Sequence, residues 1–366
     1  MYIYKRKGWP NFIWDQAKLA NLLAETRHAQ GRLLGSMNEL GFNIRNEATL
    51  QILTQDVIKT SEIEGEKLDI NLVRSSIAKR LGFAIEGTQR VDRNIEGIVE
   101  IMLDATKNYL KPLTKARLCD WHAALFPTGR SGLVKIAVGR WRPAESGAMQ
   151  VVSGPLGREK IHYEAPEHNK LHKEMQLFLK WFNHSIEMDA VIKSAIAHFW
   201  FVTIHPFDDG NGRIARAIAD MQLARAEKSA QRFYSMSKQI QQERHSYYQI
   251  LELCQKGSLD ITPWIEWFLK CMTHAITASE STLENVLFKA RFWRINAAEQ
   301  FNERQRKLLN RLLDGFEGNL TSSKWAKIAK CSQDTSLRDI TNLLERGILE
   351  KNPSGGRSTS YQLRKR

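Results

Sequence analysis

The sequence predicts an all-α protein with one small β-hairpin in its helical core and a winged helix-turn-helix domain at its C-terminus. Three observations carry the prediction. Apolar residues recur at helical spacing along most of the chain as far as residue 281. One segment, 139–167, holds four glycines and three prolines, too many for a helix interior. After about residue 290 the pattern breaks into three brief helical stretches and two strand-like pieces.

The elements follow in order. "WDQAKLANLLAETRHAQGRLLGSMNEL" is amphipathic behind Asp15, a candidate N-cap, and "NEATLQILTQDVIKTSEIEGE" is a second amphipathic helix that runs out at Gly65. Further helices are expected at 92–108, 114–125, 168–184, 188–204, 211–227, 240–256 and 262–281. Within 139–167, "MQVVSG" and "EKIHYEA" joined through Gly154, Pro155 and Gly157 predict a hairpin. A long non-helical loop of this kind in a helical domain is usually functional. At the C-terminus, "FNERQRKLLNRLLDGF", "SSKWAKIAK" and "DTSLRDITNLLERG" are helices, and "ILEK" and "YQLRK" are strands around "NPSGGRSTS". That is the order of a helix-turn-helix followed by a wing. The expected domains are a helical segment at 1–90, a core at 91–285 and the winged helix at 290–366.

Composition bounds the rest. With 366 residues the chain is long enough for two or three domains, and 42% apolar with 26% charged residues is ordinary for a soluble globular protein. It has neither an apolar run long enough to span a membrane nor an N-terminal secretory pattern, so the expectation is a cytoplasmic protein without membrane contact. Cys119, Cys254, Cys271 and Cys331 are scattered without CxxC pairing, so neither a zinc site nor a disulfide framework is indicated. Of the net charge of +14, residues 291–366 carry +8, which hints at a nucleic-acid or acidic partner for the C-terminal piece.

"HPFDDGNGRIAR", His205 to Arg216, is the stretch that packing alone does not call for. Gly210, Asn211 and Gly212 stand between two helices, where backbone N–H groups and a positive helix end form an anion cradle. Arg213 and Arg216 share one face of the new helix's first turn. Cations there oppose the helix dipole unless an anion is bound, and a phosphate chain resolves the conflict. Asp208 and Asp209 precede the cradle, and one carboxylate beside bound phosphates suffices to hold Mg²⁺. His205 is placed to take a proton, and Phe207 to anchor the loop. Together these residues suit attack by a hydroxyl on a Mg²⁺-bound nucleotide phosphate.

The same residues match the motif HxFx(D/E)GNGRxxR at every specified position, so the chain resembles the Fic (filamentation induced by cAMP) family. The resemblance implies an all-α Fic core and transfer of AMP from ATP, with Mg²⁺, to a protein Ser, Thr or Tyr hydroxyl. It implies His205 as the base, Asp209 as the metal ligand, Asn211 with the Gly210–Gly212 backbone as holders of the α- and β-phosphates, Arg213 at the β-phosphate and Arg216 at the γ-phosphate. Asp208 inherits no role. The hairpin at 151–163 resembles the flap that docks a target segment by strand addition, with Ile161, His162 and Tyr163 on the nucleotide side. "ERHSYYQIL" resembles the helix bordering the adenine, which points to Tyr247 and Tyr248, with Gln255 as the nearest match to an Asn found beyond them. "TSEIEGE" fits the inhibitory pattern (S/T)xxxE(G/N) as Thr60, Glu64 and Gly65. There Glu64 would pair with Arg216 and compete with the γ-phosphate for one guanidinium. In some relatives that glutamate instead supports removal of AMP, so both directions are open. Relatives with the motif at this end are commonly dimers, which brings in a homodimer by analogy; self-modification is also expected.

Fic-fold relatives that transfer other phosphate-linked groups usually degrade the GNGR part or the metal position, and this sequence keeps both. A reading from another class is a DNA-binding regulator that uses the winged helix, with the core as a nucleotide sensor. Gln333, Ser336 and Arg338 would face the groove and Arg357 would touch phosphate from the wing, although Asp334 and Asp339 on the same helix oppose DNA.

Overall fold

The computed structural model describes residues 1–38, 42–83, 92–154, 158–184, 187–313, 316, 318–352 and 359–364. The chain divides into two compact units, one of residues 1–39 and 45–279, the other of residues 40–44 and 280–366. Residues 1–39 and 45–83 of the helical segment expected at 1–90 fall in the first unit. The boundary expected near 290 falls at 279/280, inside a helix.

In chain order the helices are α1 (Gln16–Asn38), α2 (Phe42–Ile63), α3 (Ile70–Leu81), α4 (Arg93–Lys107), α5 (Lys115–Leu125), α6 (His168–Asn183), α7 (Ala190–Ile204), α8 (Asn211–Glu227), α9 (Met236–Gln242), α10 (Arg244–Gln255), α11 (Thr262–Ile295), α12 (Glu303–Leu313), α13 (Ser322–Ala329) and α14 (Gln333–Glu345). The strands are β1 (Arg130–Ser131), β2 (Val134–Lys135), β3 (Gln150–Ser153), β4 (Lys160–Glu164), β5 (Leu349–Lys351) and β6 (Tyr361–Leu363), paired β1–β2, β3–β4 and β5–β6, all antiparallel. Among the described residues no helix is long and apolar enough to cross a membrane.

The first unit is built around α7. Every residue of α7 from Val191 to Ile204 is buried. A helix apolar on all sides must be enclosed on all sides, and α8 and α6 pack against it. Asp189 caps its start by accepting from the Val191 and Ile192 backbone N–H groups. The same carboxylate pairs with Arg27 of α1 at 2.8 Å, and Gln30 of α1 donates to Glu227 at the far end of α8 at 2.7 Å. The N-terminal residues close the other side. Trp9 meets Trp200 edge-on and donates to Glu174 at 2.8 Å, and Ile13 pairs with Leu259 and Ile261 through its backbone.

The expected hairpin forms as β3 and β4, with a bulge between Val151 and Val152. Two of its three connecting residues, Pro155 and Gly157, lie outside the described residues.

In the second unit, α12, α13, α14 and the β5–β6 pair enclose a cluster that includes Leu308, Leu309, Trp325, Ile340, Leu343 and Tyr361. Thr321 caps α13 and Ser332 caps α14. Leu320 bridges to Tyr361 and adds a third short extended piece beside the hairpin. Two expectations about α14 change here. Ser336 is fully buried and donates to the Ser322 and Gln333 carbonyls, at 3.0 and 2.8 Å, so it faces the interior and not a groove. Asp339 is also buried, and Arg304 and Asn302 take up its charge at 3.0 Å each. Gln333 and Arg338 are exposed, as is Asp334. Arg357 lies outside the described residues.

Candidate active site

Helix α7 ends where the cluster begins. His205 terminates it in the left-handed conformation, φ 52°, with its N–H on the Phe201 carbonyl at 3.0 Å. Such a conformation is strained for a residue with a Cβ and persists only where neighbours enforce it. Here buried Arg142 does so: its Nε donates to the His205 carbonyl at 2.9 Å, its N–H to the Pro206 carbonyl at 2.9 Å, and its Nη2 to the Pro166 carbonyl. The imidazole follows from the same placement. Nδ1 lies 3.1 Å from the Val202 carbonyl, which can only accept, so Nδ1 carries the proton and Nε2 is left as a bare acceptor. The residue is partly exposed, yet burial among its neighbours holds its pKa below the usual imidazole value.

The loop 206–210 is fixed from four sides. Phe207 is buried and stacks on His122, centroids 4.1 Å apart. Asn211 closes on the main chain of Phe207 with both ends of its amide, accepting from N–H at 2.9 Å and donating to the carbonyl at 2.8 Å. The Asn211 side chain therefore shapes the loop. Asp208 clamps the loop to its surroundings by accepting from Ala137 N–H and Ser146 Oγ, both at 2.9 Å. Asp209 accepts from Ser131 Oγ and, at 2.6 Å, from Gly210 N–H. His122 receives the Gly139 N–H on Nδ1 at 3.1 Å, so its Nε2–H donates to the Asp209 carbonyl at 3.2 Å. Burial lowers the His122 pKa to about 4, which keeps it in that neutral tautomer.

Helix α8 then starts at Gly210, whose φ of 78° favours glycine and whose Cβ, if present, would stand 2.9 Å from the Phe126 ring. No side chain caps this N-terminus. The anion expected there has a stand-in from the chain itself. Arg216, 2% exposed, donates through Nε to Thr60 Oγ1 at 2.6 Å and through Nη2 to the Thr60 carbonyl at 2.9 Å and Glu64 Oε1 at 2.7 Å. The Glu64 carboxylate lies so close over the first turn of α8 that a Cβ on Gly212 would meet its Oε1 at 2.3 Å. Burial opposes the charge on Arg216, and Glu64 with Tyr247 outweighs it, so the guanidinium pKa ends above its ordinary value. Thr60 and Glu64 thus both lie on Arg216, and Gly65 follows Glu64 in the turn at φ 87°. Arg213, three residues before, donates to Glu66 at 2.7 Å and lies over the Phe126 ring at 5.1 Å.

The remaining residues divide. Ile161 on the hairpin is 45% exposed, and His162 is held between Glu252 of α10 and Ser153, each at 2.6 Å. Tyr163 is 1% exposed, donates to the Thr203 carbonyl at 2.7 Å and is flanked edge-on by Tyr2 and Tyr4. It anchors the hairpin to α7 and does not face a nucleotide, which corrects that expectation. Tyr247 is buried against His198, with its hydroxyl 2.9 Å from Nε2, while Tyr248 is 38% exposed beneath Arg244. Gln255 is buried on Thr203 at 3.3 Å and is likewise a packing residue. Sequence reasoning missed Arg142, His122, Ser131 and Glu66. It also missed Arg244, which donates to the Ile63 carbonyl at the end of α2 at 3.0 Å.

The donor set fits a magnesium ion completed by phosphate. Among the described residues there is no cluster of three or more metal-ligating side chains. One partly exposed carboxylate, Asp209, stands beside the uncapped helix end. That is what an ion needs when it draws its other oxygens from phosphate and water.

With this geometry in place, comparison with known proteins is specific. Residues 112–223 match the Fic/DOC family, and residues 2–83 match a domain of unknown function, DUF4172. Protein adenylyltransferase Fic of Drosophila ananassae is 38% identical over 99 residues, 26% of this chain and 18% of that protein. The protein of the same name from Culex quinquefasciatus is 27% identical over 241 residues, 65% of this chain and 43% of its own length. The chain therefore spans less than half of these relatives. Among solved structures, a Fic family protein from Desulfovibrio desulfuricans G20 aligns over 97% of this chain and 98% of its own at 23% identity, with a TM-score of 0.58, which shows a shared fold.

Proposed function

We propose that the chain is a Fic-type protein adenylyltransferase that moves AMP from ATP to a Ser, Thr or Tyr hydroxyl of a target protein, and that the turn at 60–66 restrains it. The observation that carries this reading is the pairing, across one short loop, of a histidine with a bare Nε2 and a helix N-terminus flanked by two buried arginines. His205 Nε2 accepts the target hydroxyl proton, and the freed oxygen bonds to the α-phosphorus. The bond from that phosphorus to the bridging oxygen breaks, and pyrophosphate departs with its charge on the α8 N-terminus, Arg213 and Arg216. Asp209 would hold Mg²⁺, which supplies charge neutralisation on the phosphates. Glu64 occupies the place of an anion on Arg216 and so keeps the γ-phosphate from its seat. The same carboxylate is also suited to the reverse hydrolysis.

We assign target docking to the hairpin at 151–163, where Val152 and Ile161 are exposed at 48% and 45%. We assign the second unit to the winged helix class on the order of α12, α13, α14 and the β5–β6 hairpin. The outward positions of α14 mix Asp334, Arg338 and Glu345, a charge balance that does not favour DNA as its main partner.

The test is self-labelling with [α-³²P]ATP and Mg²⁺ by the wild type and Glu64→Gly. Label that rises in the variant supports transfer and its restraint. Absence of label from both, with a presented target or without one, sinks the proposal. A pH profile adds to it. Because burial lowers the His205 pKa, the base stays unprotonated as pH falls, so kcat of Glu64→Gly should be level from pH 8 down to about 6.5 and decline only below it. An acid limb with a midpoint above pH 7 would contradict the placement of His205.

A further inference from the structure

We infer that Glu66 is a second obstruction, separate from Glu64, which nucleotide must displace from Arg213 before it settles on this site. The inference rests on the adenylyltransferase reading and extends it to a residue that the inhibitory pattern does not contain.

The turn after α2 explains how one short segment reaches two arginines. The N–H groups of Glu64 and Glu66 both bond to the Ser61 carbonyl, at 3.1 and 3.0 Å, and Gly65 between them takes φ 87°. That left-handed residue reverses the chain. Glu64 then lies on Arg216 at 2.7 Å, and Glu66 lies on Arg213, also at 2.7 Å. The two cations meant for phosphate are each neutralised by one arm of the same turn.

Arg213 depends on its arm. Its side chain is 5% exposed, and its Nε has no hydrogen-bond partner. Among the described residues Glu66 is the one carboxylate that forms an ion pair with it. A buried guanidinium needs an anion, and either this carboxylate or a phosphate supplies it.

The two arms differ in how they let go. The Glu64 side chain is 29% exposed and its carboxylate sits against the first turn of α8 at Gly212. The Glu66 side chain is 50% exposed and borders an open cleft of about 580 Å³ lined by Lys67, Leu72, Asn94, Phe126 and Arg130. It can rotate into that space while α2 stays in place. Being half exposed, its pair is also the one that salt weakens. The expected division of labour is that Glu66 acts on nucleotide affinity and Glu64 on the reactive pose.

Titration calorimetry of the full chain with ATP and Mg²⁺ tests this in the wild type, Glu66→Gln, Glu66→Ala, Glu64→Gly and the Glu64→Gly/Glu66→Gln double variant. Thermal unfolding confirms that each is folded. Both Glu66 variants should lower Kd about 5-fold with Glu64 present, and Glu66→Gln should lower it by a similar factor again in the Glu64→Gly background. Unchanged Kd in both Glu66 variants, with tighter binding by Glu64→Gly, overturns the role of Glu66 and leaves the adenylyltransferase reading standing. Failure of every variant to bind ATP overturns both.

Discussion

Removing the imidazole of His205 in the Glu64→Gly background should cut the rate of AMP transfer by about 10²- to 10⁴-fold, the usual contribution of a positioned general base. ATP affinity should hardly change, because the phosphate seat is made by other groups: the α8 N-terminus, Arg213 and Arg216. The side chain is not what orders the loop. Arg142 binds the His205 and Pro206 main chain, Asn211 binds that of Phe207, and Asp208 binds Ala137 and Ser146. Single-turnover labelling alongside calorimetry separates the two quantities. A loss below tenfold, or one that tracks a weaker Kd, would take the role of base from His205.

Replacing Arg232 by Met should destabilise the first unit by about 3–5 kcal/mol, the cost of leaving one half of a buried ion pair behind. Arg232 and Asp220 are 4% and 1% exposed and 2.6 Å apart. Burial pushes the Asp220 carboxyl up, and the Arg232 guanidinium at 2.6 Å pulls it back toward the charged form. Asp56 of α2, held by Ser235 Oγ and Ser237 N–H at 2.6 and 3.1 Å, also acts on that carboxyl and raises it. Without the guanidinium, the acids on α2 and α8 face each other unrelieved, so denaturant midpoints should drop steeply. Adding Asp220→Leu should recover at least half of the loss, since an apolar replacement of both partners removes the stranded charge. If the double variant is no better than the single, packing around Arg232 and not charge is the cause.

What could be read in the sequence was what is local in the chain. The loop from His205 to Arg216 joins α7 directly to α8, so the base, the cradle and both arginines lie within twelve consecutive residues, and spacing alone puts Arg213 and Arg216 on one face. Thr60 and Glu64 are likewise one helical turn apart, although only the resemblance gave them a partner. The residues that went unseen act across the fold. Arg142 holds His205 from 63 positions away, and His122 holds Asp209 from 87. Nothing in their local sequence distinguishes them from other buried polar residues. Tyr163 was misplaced because strand alternation says that it and His162 face opposite sides without saying which side is the core. Ser336 was misplaced because it shares the inner stripe of α14 with Ile340 and Leu343, at four and seven residues' spacing, and its small polar side chain disguised that stripe.

The Cβ that Gly212 lacks ties two distant positions into one genetic unit. A methyl group at 212 would collide with the end of the Glu64 side chain, the movable partner in that clash, and would drive it off Arg216. A substitution at 212 in the parent sequence therefore amounts to a substitution at 64 as well. Once residue 64 has lost its carboxylate, that collision no longer exists, and a Cβ at 212 meets only Arg216 Nη1, at 3.2 Å, and whatever anion comes to α8. The effect of one mutation is thus set by the allele at the other. A mutational scan that scores residues singly would charge to Gly212 a cost that belongs to the pair.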